Sequence, residues 1–110
     1  MTKVHVQPGA CGLNSNITVT RLDNDEDDYM VNIHIETESD NIKRLAKVLT
    51  RVNGMEQSFK NFMTSKIYEL GAQQGLHLAC PVPTAIIKAI EVECGLNVPR
   101  NVEIIFLDEE

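Results

Sequence analysis

The chain has few aromatic residues, no long hydrophobic run and fewer positive than negative charges, and the last two shortages each exclude a class of protein. It contains no tryptophan, two tyrosines and three phenylalanines. No apolar stretch approaches the ~20 residues that cross a bilayer, so we expect no membrane-spanning helix. The N-terminus lacks the hydrophobic block of a signal peptide, which predicts a cytoplasmic protein.

Positive charge is scarce: ten lysines and arginines stand against sixteen aspartates and glutamates, for a formal net charge of −6. Phosphate contacts need a basic surface, so this balance argues against a general nucleic-acid binder. Much of the negative charge lies in residues 23–28. That segment lacks the helix–loop–helix setting of a calcium-binding EF-hand, and it predicts a solvated turn.

Cysteine is also scarce, with three residues among 110. An odd number in a reducing compartment indicates free thiols or metal ligands rather than a disulfide framework. The hydrophobic content of 43% is typical of a globular protein, and the length predicts one domain, residues 1–110.

Apolar and polar residues alternate in the first third of the chain. The pattern predicts strands over 3–7, 16–22 and 29–37, because alternate side chains of a strand point to opposite faces. The second and third strands are joined by the short acidic segment 23–28, which favours an antiparallel hairpin.

Helical periodicity dominates the rest of the chain and predicts helices over 40–53, 55–71 and 82–94, followed by a closing strand over 102–107. The second helix is expected to bury a stripe that comprises Phe59, Phe62, Met63, Ile67 and Leu70. The predicted fold is an α+β two-layer sandwich of order β-β-β-α-α-α-β. A mainly antiparallel sheet of about four strands carries the helices on one face.

Cys80 is the leading candidate for a catalytic residue. Pro81 and Pro83 suit the first turn of a helix, whose backbone N–H groups have no intrahelical partners. A sulfur placed there faces free N–H donors and the positive end of the helix dipole, which predicts a lowered pKa and a reactive thiolate. The alternative is a small buried apolar residue, as free cysteine often is.

Cys11 and His77 are candidate partners of Cys80. Cys11 lies in a turn between Gly9 and Gly12, whose N–H groups favour an anion site or a tight turn with a buried thiol. His77 precedes Cys80 by three residues, a spacing compatible with a shared metal, although a lone histidine also serves as a plain hydrogen-bonding residue. Together the three side chains predict an open site for zinc, iron or an iron–sulfur cluster.

The remaining cysteine and the charged side chains of the predicted helices are not assigned to the candidate site. Cys94 follows Ile86 and Ile90 at helical spacing and is expected in the core, roughly 20 Å from Cys80 along one helix. Glu91 and Glu93 are interpreted as surface charges. The basic side chains of the 40–53 helix form either a solvated face or a surface for an acidic partner; they are Lys43, Arg44, Lys47 and Arg51.

The segment Cys80-Pro81-Val82-Pro83 resembles the Cys-Pro-x-Pro motif of the TusA/SirA-like sulfur carriers. The likeness continues through residues 85–90 and covers about a quarter of the chain. In that family the motif opens a helix and its cysteine carries a persulfide. The resemblance implies the same role for Cys80, with a sulfur donor or acceptor protein as its partner. The motif lies near the N-terminus in those proteins and in the final third of this chain.

Over nearly its full length the chain resembles an uncharacterised family of short proteins from anaerobic microbes. These pair Gln-Pro-Gly-Ala-Cys-Gly, here residues 7–12, with the later Cys-Pro-Val-Pro and a Lys-Ala-x-Glu-Val stretch, here residues 88–92. The resemblance implies that Cys11 and Cys80 belong together. It also implies a further cysteine after Ser-Asp in relatives, where this chain has Asn41.

Three hypotheses follow. The first is a sulfur-handling or redox protein with Cys80 as the reactive thiolate and Cys11 as the resolving thiol. The second is a metal-binding module of Cys11, His77 and Cys80, completed across a homodimer or by another protein. The third is an interaction protein with incidental cysteines. No residue stands out as a general base, so the pattern does not decide whether the protein is an enzyme.

Overall fold

A computed structural model describes residues 1–22 and 29–108 of the chain. Within them four strands form one antiparallel sheet in the order β1-β2-β3-β4: β1 (Thr2–Val6), β2 (Ser15–Arg21), β3 (Met30–Thr37) and β4 (Arg51–Asn53). The helices are α1 (Asp40–Val48), α2 (Gly54–Ser58), α3 (Lys66–Gln73) and α4 (Val82–Glu93). The α+β prediction and the β2–β3 hairpin are confirmed. The turn predicted at 23–28 lies outside the described residues.

One face of the sheet is covered by helices and the other is open. The register pairs Ile17 with Ile35 and Val19 with Ile33, and all four side chains are buried. Helix α4 packs on β1 and β2, and α1 packs on β3. The opposite face carries exposed polar side chains, as the alternation of strand residues requires. No helix in the described part of the chain is long and apolar enough to cross a membrane.

The prediction for α4 is confirmed: the helix begins at Val82, buries Ile86 and Ile90 completely, and ends with Cys94 as its C-cap. The predicted 40–53 helix is too long. Helix α1 ends at Val48 because Leu49 leaves the helical region of backbone space, with φ −107° and ψ 83°. The chain then enters β4, where Val52 pairs with Val31 and is buried from a strand instead of a helix.

The predicted 55–71 helix is wrong, because residues 59–65 separate α2 from α3. The side chain of Asn61 accepts hydrogen bonds from the backbone N–H groups of Met63 and Thr64, which stabilises a turn in competition with the helix. Ser65 then caps α3 by accepting from the N–H of Tyr68. The predicted core residues Phe59, Phe62 and Met63 are exposed as a result, while Ile67 is fully buried.

The closing strand predicted at 102–107 is also wrong. This segment is irregular and its side chains are exposed; β4 is the fourth strand instead. Apolar β-branched residues confer the propensity for a strand, but a strand exists only where its backbone groups have partners.

Candidate functional site

Cys80 lies two residues before the first residue of α4 and next to its N-cap, Pro81, where the sequence predicts it. Its backbone N–H donates to the carbonyl oxygen of His77 at 3.1 Å, which closes a turn ahead of the helix. Its side chain is half-buried and packs against the edge of the core. The backbone N–H of Val82 donates to the sulfur, as expected for an acceptor at a helix N-terminus.

The environment of Cys80 nevertheless favours the thiol over the thiolate. Burial raises the pKa of Cys80, the hydrogen bond from Val82 lowers it by less, and the negative charge of Cys11 raises it again. The predicted lowering of this pKa is therefore wrong. Partial burial destabilises the thiolate more than the single hydrogen bond from the backbone N–H at the helix start stabilises it.

Cys11 is brought to the start of α4 by a glycine turn. Gly9 and Gly12 have φ angles of +90° and +67°, a region that other residues rarely adopt, and the Gly12 N–H donates to the Gly9 carbonyl at 2.9 Å. Cys11 is exposed on this turn. It lies close enough to Cys80 for its charge to raise the pKa of that thiol. The fold thus brings two cysteines that are 69 positions apart in the sequence within range of an electrostatic interaction.

His77 is exposed, and the contact it supplies to Cys80 is its backbone carbonyl. Among residues 1–22 and 29–108, no group of three or more His, Cys, Asp or Glu side chains is arranged to hold a metal ion. The structure thus brings together Cys11 and Cys80, but it does not complete the predicted ligand set with His77. Zinc, iron or an iron–sulfur cluster would need further ligands from outside this arrangement.

Exposed apolar side chains lie near the start of α4. Leu78, two residues before Cys80, is 96% exposed. Phe62 packs edge-on against Tyr68 with ring centroids 5.6 Å apart, and the hydroxyl of Tyr68 lies 2.9 Å from that of Thr84 in the first turn of α4. The sequence pattern misses this surface, because helical spacing assigns Phe62 to the core.

Cys94 is remote from this chemistry and is buried, as predicted. Burial raises the pKa of its thiol; the charge of Arg21 lowers that pKa in part, and the charge of Glu93 raises it. Cys94 is therefore an unreactive core thiol, and it supplies an internal reference for the other two cysteines.

Glu93 is a structural carboxylate that the sequence analysis wrongly assigns to the surface. Its oxygens accept from the backbone N–H of Arg21 at 2.9 Å and from the hydroxyl of Thr2 at 2.7 Å, and the Met1 ammonium lies 3.0 Å away. Burial raises the pKa of Glu93, but these hydrogen bonds and the ammonium charge together bring it below its ordinary value. No local pattern signals this role, since the partners lie on β1 and β2.

The chain belongs to a family of unknown function, DUF6951, whose model matches residues 2–106. No curated protein and no solved structure matches it. Membership in an uncharacterised family is thereby confirmed, and the likeness to the TusA/SirA-like sulfur carriers stays a prediction.

Proposed function

We propose that this member of a family of unknown function is a dithiol protein that handles sulfur or redox equivalents through Cys11 and Cys80. The observation that carries the proposal is the proximity of the two cysteines: Cys11, exposed on its glycine turn, lies close enough to Cys80 for an electrostatic interaction between the two side chains. Two neighbouring thiols of this kind can exchange a bond with an external sulfur compound and then form a disulfide with each other.

The two thiols differ in exposure, and this difference assigns their roles. Cys11 is exposed on a turn of positive-φ glycines, so it meets an external reactant first. Cys80 is half-buried with a raised pKa, which suits the second, resolving step. This assignment reverses the order expected from the sequence, in which Cys80 is the reactive thiolate.

With an external disulfide, the thiolate of Cys11 attacks one sulfur and expels the other as a thiolate. Cys80 loses its proton and attacks the sulfur of Cys11, which releases the remaining external thiolate. The two cysteines are oxidised to a disulfide and the reagent is reduced to two thiols. If Cys11 carries a persulfide, the same attack by Cys80 forms the same disulfide and releases hydrogen sulfide.

The partner in this proposal is a sulfur donor or acceptor protein. The exposed side chains of Leu78 and Phe62 would supply apolar contact near the thiols, because Phe62 is connected through Tyr68 to the first turn of α4. Apolar contacts at the centre of a transient complex would exclude water from around the reacting sulfurs.

The test is oxidation of the native protein by oxidised glutathione, without oxygen, followed by mass mapping of non-reduced peptides. We expect one intrachain disulfide between Cys11 and Cys80, with Cys94 still a free thiol. Cys80→Ser should trap glutathione on Cys11. Cys94→Ser is the matched control and should form the Cys11–Cys80 disulfide normally. Glutathione left on Cys11 of the wild-type protein would contradict the proposal.

A metal-binding module is the second candidate, favoured by the same juxtaposition of two soft ligands. Its ligand set is incomplete within the described part of one chain, so it requires a ligand from a second copy or another protein. Elemental analysis of protein purified without oxygen or chelators distinguishes the two functions. Stoichiometric zinc or iron that is lost in Cys80→Ser would favour the metal-binding module. Metal-free wild-type protein would favour the dithiol function.

A further inference from the structure

Residues 102–107, which we call the 102–107 segment, have the composition of a buried strand and the surroundings of an exposed loop. The sequence is Val-Glu-Ile-Ile-Phe-Leu, rich in residues that favour strands. Its apolar side chains are exposed, and Phe106 is 95% exposed. The backbone of these six residues makes no hydrogen bond to any other described residue. The family match runs to residue 106, so all of the segment except Leu107 lies within the family domain.

The outer edge of β1 is the matching open position in the sheet. β1 stands first in the strand order, and within the described residues its backbone pairs with β2 alone. Its five residues are close in number to the six of the segment. The opposite edge, β4, offers three residues and leads directly into α2. Val4 on β1 is only half-buried, whereas its cross-strand neighbour Ile17 is fully buried.

One side of the 102–107 segment is wholly apolar and matches the covered face of the sheet at β1, and the other side carries its single charge. Alternation places Val102, Ile104 and Phe106 on one side, and Glu103, Ile105 and Leu107 on the other. If Ile104 aligns with Val4, the apolar side extends the covered face. Glu103 then lies on the open face beside Lys3 when the strands are parallel, or beside His5 when they are antiparallel. Both neighbours are exposed, and the ammonium of Lys3 complements the charge of Glu103.

We propose that the 102–107 segment of one copy adds as a fifth strand to the β1 edge of a second copy, and that two chains exchange these segments reciprocally. Such an exchange pairs both segments and both edges in a closed twofold dimer. Among the described residues, the 102–107 segment has no backbone partner and makes no backbone hydrogen bond to β1 of its own chain, whose outer edge is open. A second copy of this chain would supply hydrogen-bond partners both for the 102–107 segment and for the β1 edge.

The test compares Ile104→Asp with Ile105→Asp in the full chain, by sedimentation equilibrium. The substitutions are chemically identical and adjacent, but alternation puts residue 104 on the covered face and residue 105 on the open one. We expect a dimer for the wild type, weakened roughly a hundredfold or more by Ile104→Asp, since each dimer loses two buried apolar contacts and would bury two carboxylates. Ile105→Asp should weaken it far less. Neither change affects folding, because both side chains are exposed.

Amide hydrogen exchange of residues 102–107 distinguishes addition to a second copy from pairing within the same chain and from no pairing. Protection that increases with protein concentration supports addition to a second copy. Protection in a monomer, independent of concentration, would show that the segment pairs with its own chain and would overturn the proposal. A monomer with unprotected amides would overturn it as well. Equal weakening by the two substitutions would indicate unspecific apolar association instead of strand addition.

Discussion

Gly54 lies directly against Cys94, so closely that a β-carbon added at residue 54 would overlap the cysteine sulfur. The added atom would also stand 3.1 Å from Ile90 Cγ2 and 3.2 Å from the carbonyl oxygen of Tyr29. Gly54 begins α2 and Cys94 caps α4. The approach of these two helices therefore depends on the absence of a side chain at residue 54.

Gly54→Ala should reduce the free energy of unfolding by about 1–3 kcal/mol, because overpacking a closed site forces neighbours to shift. In a Cys94→Ala background the same substitution should cost at least ~1 kcal/mol less, a coupling that urea unfolding of the four proteins measures. Gly71→Ala is the matched control. A β-carbon there meets Leu76 and Pro83 at ordinary contact distances of 3.7 and 3.9 Å, so that change should be neutral or stabilising. Additive effects of Gly54→Ala and Cys94→Ala would contradict this packing.

Glu93→Gln should destabilise the protein at neutral pH by about 1.5–3 kcal/mol, because the carboxylate accepts two hydrogen bonds in a nearly enclosed position. The pKa of Glu93 is lowered in the folded state. Its contribution is therefore complete above the unfolded-state pKa of about 4.3 and is lost as the pH falls through the lower folded-state pKa. Urea midpoints of wild type and Glu93→Gln should converge on acidification.

Glu91→Gln is the control for Glu93→Gln on the same helix. Glu91 accepts a single long hydrogen bond of 3.5 Å from Asn97, so its substitution should change stability by less than ~0.5 kcal/mol. A difference between wild type and Glu93→Gln that persists unchanged at low pH would show that packing, and not the charge, is responsible.

Cys80 should react with iodoacetamide at pH 7 more slowly than a free model thiol, because burial raises its pKa and reduces the thiolate fraction. Cys11→Ser removes a neighbouring negative charge, so the rate profile of Cys80 should shift to lower pH. Cys94→Ser should leave that profile unchanged. Mass spectrometry of timed samples supplies the rates for each cysteine. Alkylation of Cys80 faster than the model thiol at pH 7 would show that the helix start outweighs burial.

Met63→Ala should change the free energy of unfolding by less than ~0.5 kcal/mol, whereas Ile67→Ala should cost about 2–5 kcal/mol. Met63 is 91% exposed in the turn before α3, and Ile67 is fully buried within that helix. The two residues are four apart and would share one face if a continuous helix ran through both. Comparable decreases in the free energy of unfolding, measured with urea, would instead support the continuous helix that the sequence pattern predicts.

The accuracy of the sequence predictions depends on whether local and distant interactions favour the same structure. For α4 they agree. Pro81 and Pro83 suit its start and Gly95 follows its end, and the helical spacing of its apolar residues places Ile86 and Ile90 on the face that is buried. For 55–71 they disagree. The apolar spacing fits a helix, but the side chain of Asn61 accepts hydrogen bonds from the backbone N–H groups of Met63 and Thr64 and stabilises a turn there.

At the candidate site, the sequence identifies the residues but not their state. The glycine turn of Cys11 and the proline-flanked start of α4 are both recognisable from local chemistry. The pKa of Cys80 is not, because it depends on how much water the folded chain removes and on the charge of a cysteine 69 positions away. The same holds for Glu93, whose partners come from two strands at the other end of the chain.

The amino-acid sequence alone was sufficient for the α+β class, for the β2–β3 hairpin and for the helix that follows Cys80, since alternation, helical period and capping residues act over a few positions. The tertiary structure decided the rest: which segment became the fourth strand, which apolar residues reached the core, and that Cys11 lies near Cys80. The physical reason is that strand pairing, burial and desolvation depend on partners far along the chain, and local propensity does not specify those partners.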